Sequence, residues 1–273
     1  TAVEILHQIS GGNPRFLNEL VTQIRKHYNT DSDLITDFII SDMKLKGIIP
    51  DSIENLMIAR YEELGEDEQT LLKQTAIFGR PFNQPEMSDI FGQNWHLQFP
   101  ELLEEFHRQG LLETVALNPA PVYSYANSIF PESIYRTILS GEKRELHHQI
   151  AKYFETRFAA QESLYAGLIA YHYIQAGVQA RIVHWSKVAA DSYIHVGAFE
   201  QSRYYYQVIV DTSSDPDEIC AAELAIAEIA LGQAKNTDAG KILKRYSFFT
   251  SGEAKPTIYH DFHRHQGVYI ALY

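Results

Sequence analysis

The chain has 273 residues, enough for one large domain or two to three small ones. Hydrophobic residues make up 45% and charged residues 21%, a balance that fits a folded globular protein and excludes a disordered one. The formal net charge of −12, from 35 acidic and 23 basic residues, repels phosphate backbones and argues against non-specific nucleic-acid binding.

Residues 2–9 carry Val3, Leu6 and Ile9 at helical spacing and stop at Gly11-Gly12. Asn13 can cap a new helix, and Pro14 suits its first position, where a missing N–H has no partner to lose. Phe16, Leu17, Leu20, Val21 and Ile24 then give that helix, residues 14–28, one apolar face. A polar loop at 29–32 and a short helix with Leu34, Ile35, Phe38 and Ile39 lead to Gly47-Ile48-Ile49-Pro50. Residues 1–49 are thus a helical segment too small for a sizeable core of its own.

From Pro50 a unit of about one hundred residues begins. Asp51 and Glu54 resemble a capping box, and Ile53, Leu56, Met57, Tyr61 and Leu64 continue as an amphipathic helix. Glu66, Asp67 and Glu68 fill the first turn of the next helix, where the macrodipole favours acids, and Leu71, Leu72, Thr75 and Ala76 form its inner face. Gly79-Arg80-Pro81 stops it. A short helix over 85–91 and a longer one over 97–109 follow, the second with Phe99, Leu102, Leu103 and Phe106 at core spacing. Residues 111–116 and 122–126 read as two strands of a hairpin, so helices followed by a two-stranded wing describe a winged helix. Helices over 128–139 and 142–158 close this unit, placed at 50–158.

Residues 159–273 are almost all helix, rich in Ala and Tyr, with breaks at Gly177, Gly197, 211–217, 236–240 and 251–256. Helices of roughly twelve to eighteen residues in succession mark a TPR-like α-solenoid, incomplete in this chain. Its best unit spans 166–210, where Ala170, Ala189, Ala190 and Ala198 permit close helix approach and Tyr171, Tyr173, Tyr204, Tyr205 and Tyr206 supply bulk. Those tyrosines suit a binding groove or a core equally well. The fold class is mainly α: a helical lid segment, a winged-helix domain with a small β-hairpin, then the solenoid.

The order of these parts carries a resemblance. Gly11-Gly12-Asn13-Pro14-Arg15-Phe16, then Pro50-Asp51-Ser52-Ile53, then Leu71-Leu72-Lys73-Gln74-Thr75-Ala76 through Pro81-Phe82, resembles the signal-transduction ATPases with numerous domains, the STAND branch of AAA+ proteins. The likeness is to the subset attached to class III nucleotide cyclases, large protein kinases and LuxR-type regulators, in which a glycine-proline lid precedes a winged helix and a tetratricopeptide array. The resemblance implies that Pro14, with Gly12 and Asn13, lies beside the adenine of a bound nucleotide. It also implies a phosphate-sensing histidine after the wing, where this chain has Asn127, an amide that can donate to phosphate but carries no charge.

No Gly-x-x-x-x-Gly-Lys-Ser/Thr loop exists in the sequence, and Gly240-Lys241 is followed by Ile242. The chain is therefore expected to be non-catalytic, with no cofactor of its own; ATP or ADP and magnesium belong to a full-length protein. The start without Met and the end at Tyr273 inside an apolar stretch fit a fragment of such a protein. His260, Asp261, His263 and His265 do not converge on a helix, His147 and His148 diverge, and Glu62-Glu63 and Glu104-Glu105 are adjacent pairs that cannot face each other. Cys220 sits in an apolar helical context suited to a buried small residue. No catalytic or metal site is expected.

No apolar run approaches the roughly 18 residues of a membrane span. Thr1-Ala2-Val3-Glu4 is no basic leader, and one cysteine fits a reducing, cytoplasmic setting. The sequence points to a regulatory and protein-interaction fragment of a multidomain signalling ATPase, possible outputs being an adenylate or guanylate cyclase or a kinase. Its expected partners are a protein bound by the repeats and its own upstream nucleotide-binding domain, with no nucleic acid and no membrane. The alternatives are the DNA-binding winged-helix region of a transcriptional regulator and a free-standing TPR scaffold. Against the first, residues 97–109 carry Glu101, Glu104 and Glu105 with Arg108 as the only Arg or Lys.

Overall fold

Acidic side chains at its start and a glycine at its end bound the helix over residues 66–78. A computed structural model describes residues 53–92, 95, 99–116, 120–126, 128–233 and 235–245, together with Pro14, Leu17, Asn18, Val21 and Thr22. Within it, α1 spans Ile53–Glu62 and α2 spans Glu66–Phe78. The Gly65 N–H donates to Glu68 Oε2 at 2.7 Å, so the α2 start is closed by its own third residue. Gly79, at φ 67°, ends α2 by turning left-handed and returning its N–H to the Thr75 carbonyl. Of the capping pair expected at Asp51 and Glu54, Asp51 lies outside the described residues.

The chain then forms β1 (Phe82–Asn83), α3 (Gln84–Phe91), α4 (Phe99–Arg108), β2 (Leu112–Ala116), β3 (Val122–Tyr125) and α5 (Ile129–Thr137). The hairpin expected from sequence is the larger part of a three-stranded antiparallel sheet in the order β1-β3-β2. The added strand β1 is two residues long, and Asn83 also caps α3 through its side chain, accepting from Glu86 N at 2.9 Å. Phe82, Trp95 and Phe99 meet edge to face at 6.0 and 5.1 Å, and Trp95 Nε1 donates to Gln74 Oε1 at 2.7 Å. Both α1 and α2 pack on α5. The Tyr125 hydroxyl lies 2.7 Å from that of Thr75 and 3.2 Å from the Leu72 carbonyl, tying the sheet to α2.

Beyond Leu139 a second compact unit begins at Ser140. It comprises α6 (Ser140–Arg157), a 3₁₀ turn (Ala159–Gln161), α7 (Glu162–Ala176), α8 (Gln179–His195), α9 (Phe199–Thr212), α10 (Pro216–Gly232) and α11 (Asn236–Arg245). Each helix packs on the next, giving an α-solenoid. Neighbours run antiparallel: Ser192 near the end of α8 donates to the Ser163 carbonyl at the start of α7, and Gln179 at the start of α8 donates to the Thr212 carbonyl at the end of α9. Ala166, Ala170, Ala189, Ala190 and Ser202 are buried where the helices cross, so small side chains do set the approach.

Two boundaries differ from the sequence reading. Residues 140–158, expected to close the first unit, belong to the second, because the Ile150, Ala151 and Phe154 face of α6 is buried and α6 packs on α7. The expected break at 236–240 is the start of α11, whose Ala239 and Leu243 complete a core with Cys220, Leu224, Ala227, Ala230 and Leu231 of α10. Among the described residues no helix is long and apolar enough to cross a membrane.

Candidate functional site

Of the positions that the family resemblance marks for nucleotide contact, Pro14 lies in helix and is exposed. Gly12, Asn13 and Asn127 fall outside the described residues, as do His260, Asp261, His263 and His265. The outer face of α4 carries exposed Glu101 and Glu104, and Arg108 is already engaged by Glu105 at 2.8 Å. A helix so charged offers nothing to a phosphate backbone.

A concave feature of the second unit lies between α8, α9 and α10 and has a volume of about 610 Å³. That is the range in which ligand pockets fall. α8 contributes Ala180, Val183, His184 and Lys187; α9 contributes Tyr206 and Ile209; α10 contributes the opposite wall. On α10, Asp217, Ala221, Leu224, Ala225 and Glu228 recur at the three- and four-residue spacing of one helix face. The start of α10 is fixed by Asp215, whose side chain accepts from Asp217 N at 2.9 Å, and by Pro216 in the first turn. Ser213 donates to Glu218 at 2.5 Å, which seats the Glu218 side chain at the same end.

The polar groups of the groove are held, not loose. Tyr206 donates to Asp191 Oδ1 at 2.5 Å, and Lys187 Nζ lies 3.3 Å from Asp191 Oδ2. Burial first, and the Asp191 carboxylate second, push the Tyr206 hydroxyl well above its ordinary range, so it stays a neutral donor at physiological pH. Among the described residues no cluster of three metal-ligating side chains exists.

No protein-family model and no curated protein matches the chain. Among solved structures it is similar to a signal transduction ATPase with numerous domains (STAND) protein with a tetratricopeptide repeat sensor from Pyrococcus horikoshii. The identity is 12% and the TM-score 0.38, over 97% of this chain and 40% of that one. The chain thus spans 40% of that protein's length.

Among the five tyrosines singled out in the sequence, Tyr206 lines the groove, Tyr173 and Tyr205 are buried elsewhere in the helix stack, and Tyr171 and Tyr204 are exposed outside it. Tyr173 donates to Glu155, which also pairs with Arg181 at 3.0 Å. The sequence reading missed one buried pair entirely. His147 on α6 and His172 on α7 are both fully enclosed, with their Nδ1 atoms 2.9 Å apart. Tyr171 packs on both rings and Phe154 on that of His172. Burial first, then the positive charge of Lys143, holds His147 down to about 4. No spacing rule could have joined residues on two different helices.

Proposed function

We propose that this chain is a non-catalytic regulatory region of a multidomain signalling ATPase of the STAND kind, and that its tetratricopeptide-like repeats receive a protein partner in the α8–α9–α10 groove. The groove carries the reading: it is concave, of ligand size, and walled by three consecutive helices of the array. The order α2, β1, α3, α4, β2, β3, with a β1-β3-β2 sheet, supports a winged helix ahead of the repeats. In this reading Pro14, with Gly12 and Asn13, belongs to a nucleotide lid completed by an upstream domain. Asn127 stands at the phosphate-sensing position. ATP or ADP and magnesium would be held there, in a cytoplasmic protein whose cyclase or kinase output lies elsewhere.

The test has two arms. Isothermal titration of residues 1–273 with ATP and magnesium is expected to give no micromolar binding; such binding would overturn the reading that the chain by itself lacks a nucleotide site. Ala225→Trp, which fills the groove with a bulky side chain, is expected to abolish capture of any partner that the wild-type chain binds in purified form. Capture undiminished by that variant moves the partner site off the groove.

A further inference from the structure

The charge of the groove, on the reading just given, narrows what it can hold. Asp217, Glu218 and Glu228 line it beside a single lysine, Lys187, which pairs with Asp191. On α10 an acid stands at each end of a strip formed by Ala221 and Ala225. Asp217 and Glu228 are eleven residues apart on one helix, which separates them by roughly 16 Å along its axis. Alanine offers a wall with no side chain beyond Cβ, so the bulk that fills the space must come from the ligand. The aliphatic stem of an arginine or lysine does this while its head reaches the acids.

We propose that the partner is a protein segment carrying cations at both ends of an apolar stretch about 16 Å long, an amphipathic helix of basic and aliphatic residues being the simplest form. A phosphorylated or acidic segment would meet like charge at both ends of the groove. The overall charge of −12 favours the same kind of partner at a distance but has no bearing on where it sits.

The probe is a fluorescein-labelled helical peptide with two arginines about eleven residues apart and leucines between them, compared with versions in which both arginines are glutamine or glutamate. Fluorescence anisotropy on residues 1–273 is expected to show binding at least about tenfold tighter for the arginine peptide than for the glutamine one, and none for the glutamate one. Glu228→Lys, at an exposed position, is expected to weaken the arginine peptide about tenfold. The pair Glu101→Lys and Glu104→Lys on α4 adds at least as much positive charge and is expected to leave binding unchanged. Equal loss in the α4 variant would mean bulk charge attraction and overturn the inference. Arginine and glutamine peptides binding equally, both blocked by Ala225→Trp, would overturn it while leaving the groove as the partner site. Peptide binding indifferent to Ala225→Trp would overturn the groove reading itself, and no binding of the arginine peptide would overturn the inference. Unchanged far-ultraviolet circular dichroism and urea midpoint in each variant certify that the array is folded.

Discussion

A single proton sits between the Nδ1 atoms of His147 and His172, because a 2.9 Å contact between two ring nitrogens needs one donor and one acceptor. Acid removes the acceptor. Unfolded, a histidine titrates near 6.5, whereas His147 in place does so near 4, so between those values the unfolded chain binds more protons. Stability contributed by the neutral ring is therefore complete above pH 6.5 and lost as pH falls toward 4, amounting to roughly 3 kcal/mol. With Trp95→Phe, Trp185 becomes the sole tryptophan and reports on the second unit. Urea midpoints read that way are expected to drop between pH 7.5 and 5, and His147→Gln is expected to flatten the profile; an equal slope in both proteins would rule His147 out. Gly167 shows sterics at the same scale. A Cβ there would lie 2.5 Å from the Tyr193 hydroxyl, and Tyr193 stacks on Tyr205, whose own hydroxyl donates to the Gly167 carbonyl. Gly167→Val is expected to cost roughly 1 to 3 kcal/mol in urea unfolding. Combining it with Tyr193→Ala should recover part of that loss, and strict additivity would speak against the clash.

Among the elements, β3 is held to α2 by the Tyr125 hydroxyl, yet Thr75 also bonds the Leu71 and Leu72 carbonyls at 3.0 and 3.1 Å. Removing the phenol strands no buried donor, so Tyr125→Phe is expected to lower the stability of the first unit by only about 1 kcal/mol, measured through Trp95 emission in a Trp185→Phe background. A loss several times larger would mean the hydroxyl organises more of the core than its two bonds account for. Helix ends such as Gly177 and Gly197, both at φ 74°, were legible in the sequence because few other residues take that backbone shape. The spacing of Phe99, Leu103 and Phe106 likewise announced the buried face of α4. β1 was not legible, since two residues cannot show an alternation. The allegiance of α6 was hidden too, because its periodic apolar face says that it packs and not on which unit. The groove escaped for a third reason: α10 is apolar on nearly every side, with Cys220, Ala222, Leu224, Ile226, Ala227 and Ile229 all buried, so no pattern marks the strip left open. Its lining is drawn from residues up to 48 positions apart, from Ala180 to Glu228.

For the molecule as a whole, the −12 charge and the acidic face of α4 set the same expectation for polyanions. A gel-shift titration with random duplex DNA should show no complex at micromolar protein and moderate salt; nanomolar, salt-sensitive binding would restore the transcriptional-regulator alternative. The sheet has a bearing on how copies of the chain behave toward each other. Leu112, Glu113 and Thr114 pair regularly with Tyr125, Ser124 and Tyr123, but Ala116 then pairs with Val122, leaving Val115 as an extra residue that is 51% exposed. Since β2 lies at the margin of the sheet, its outer N–H and C=O groups would otherwise form a straight template for a foreign strand. The bulge bends that margin and breaks the template midway. Deleting Val115 would make the ladder regular and the rim adhesive, so the chain without that surplus valine should scatter light on standing more than the wild type does.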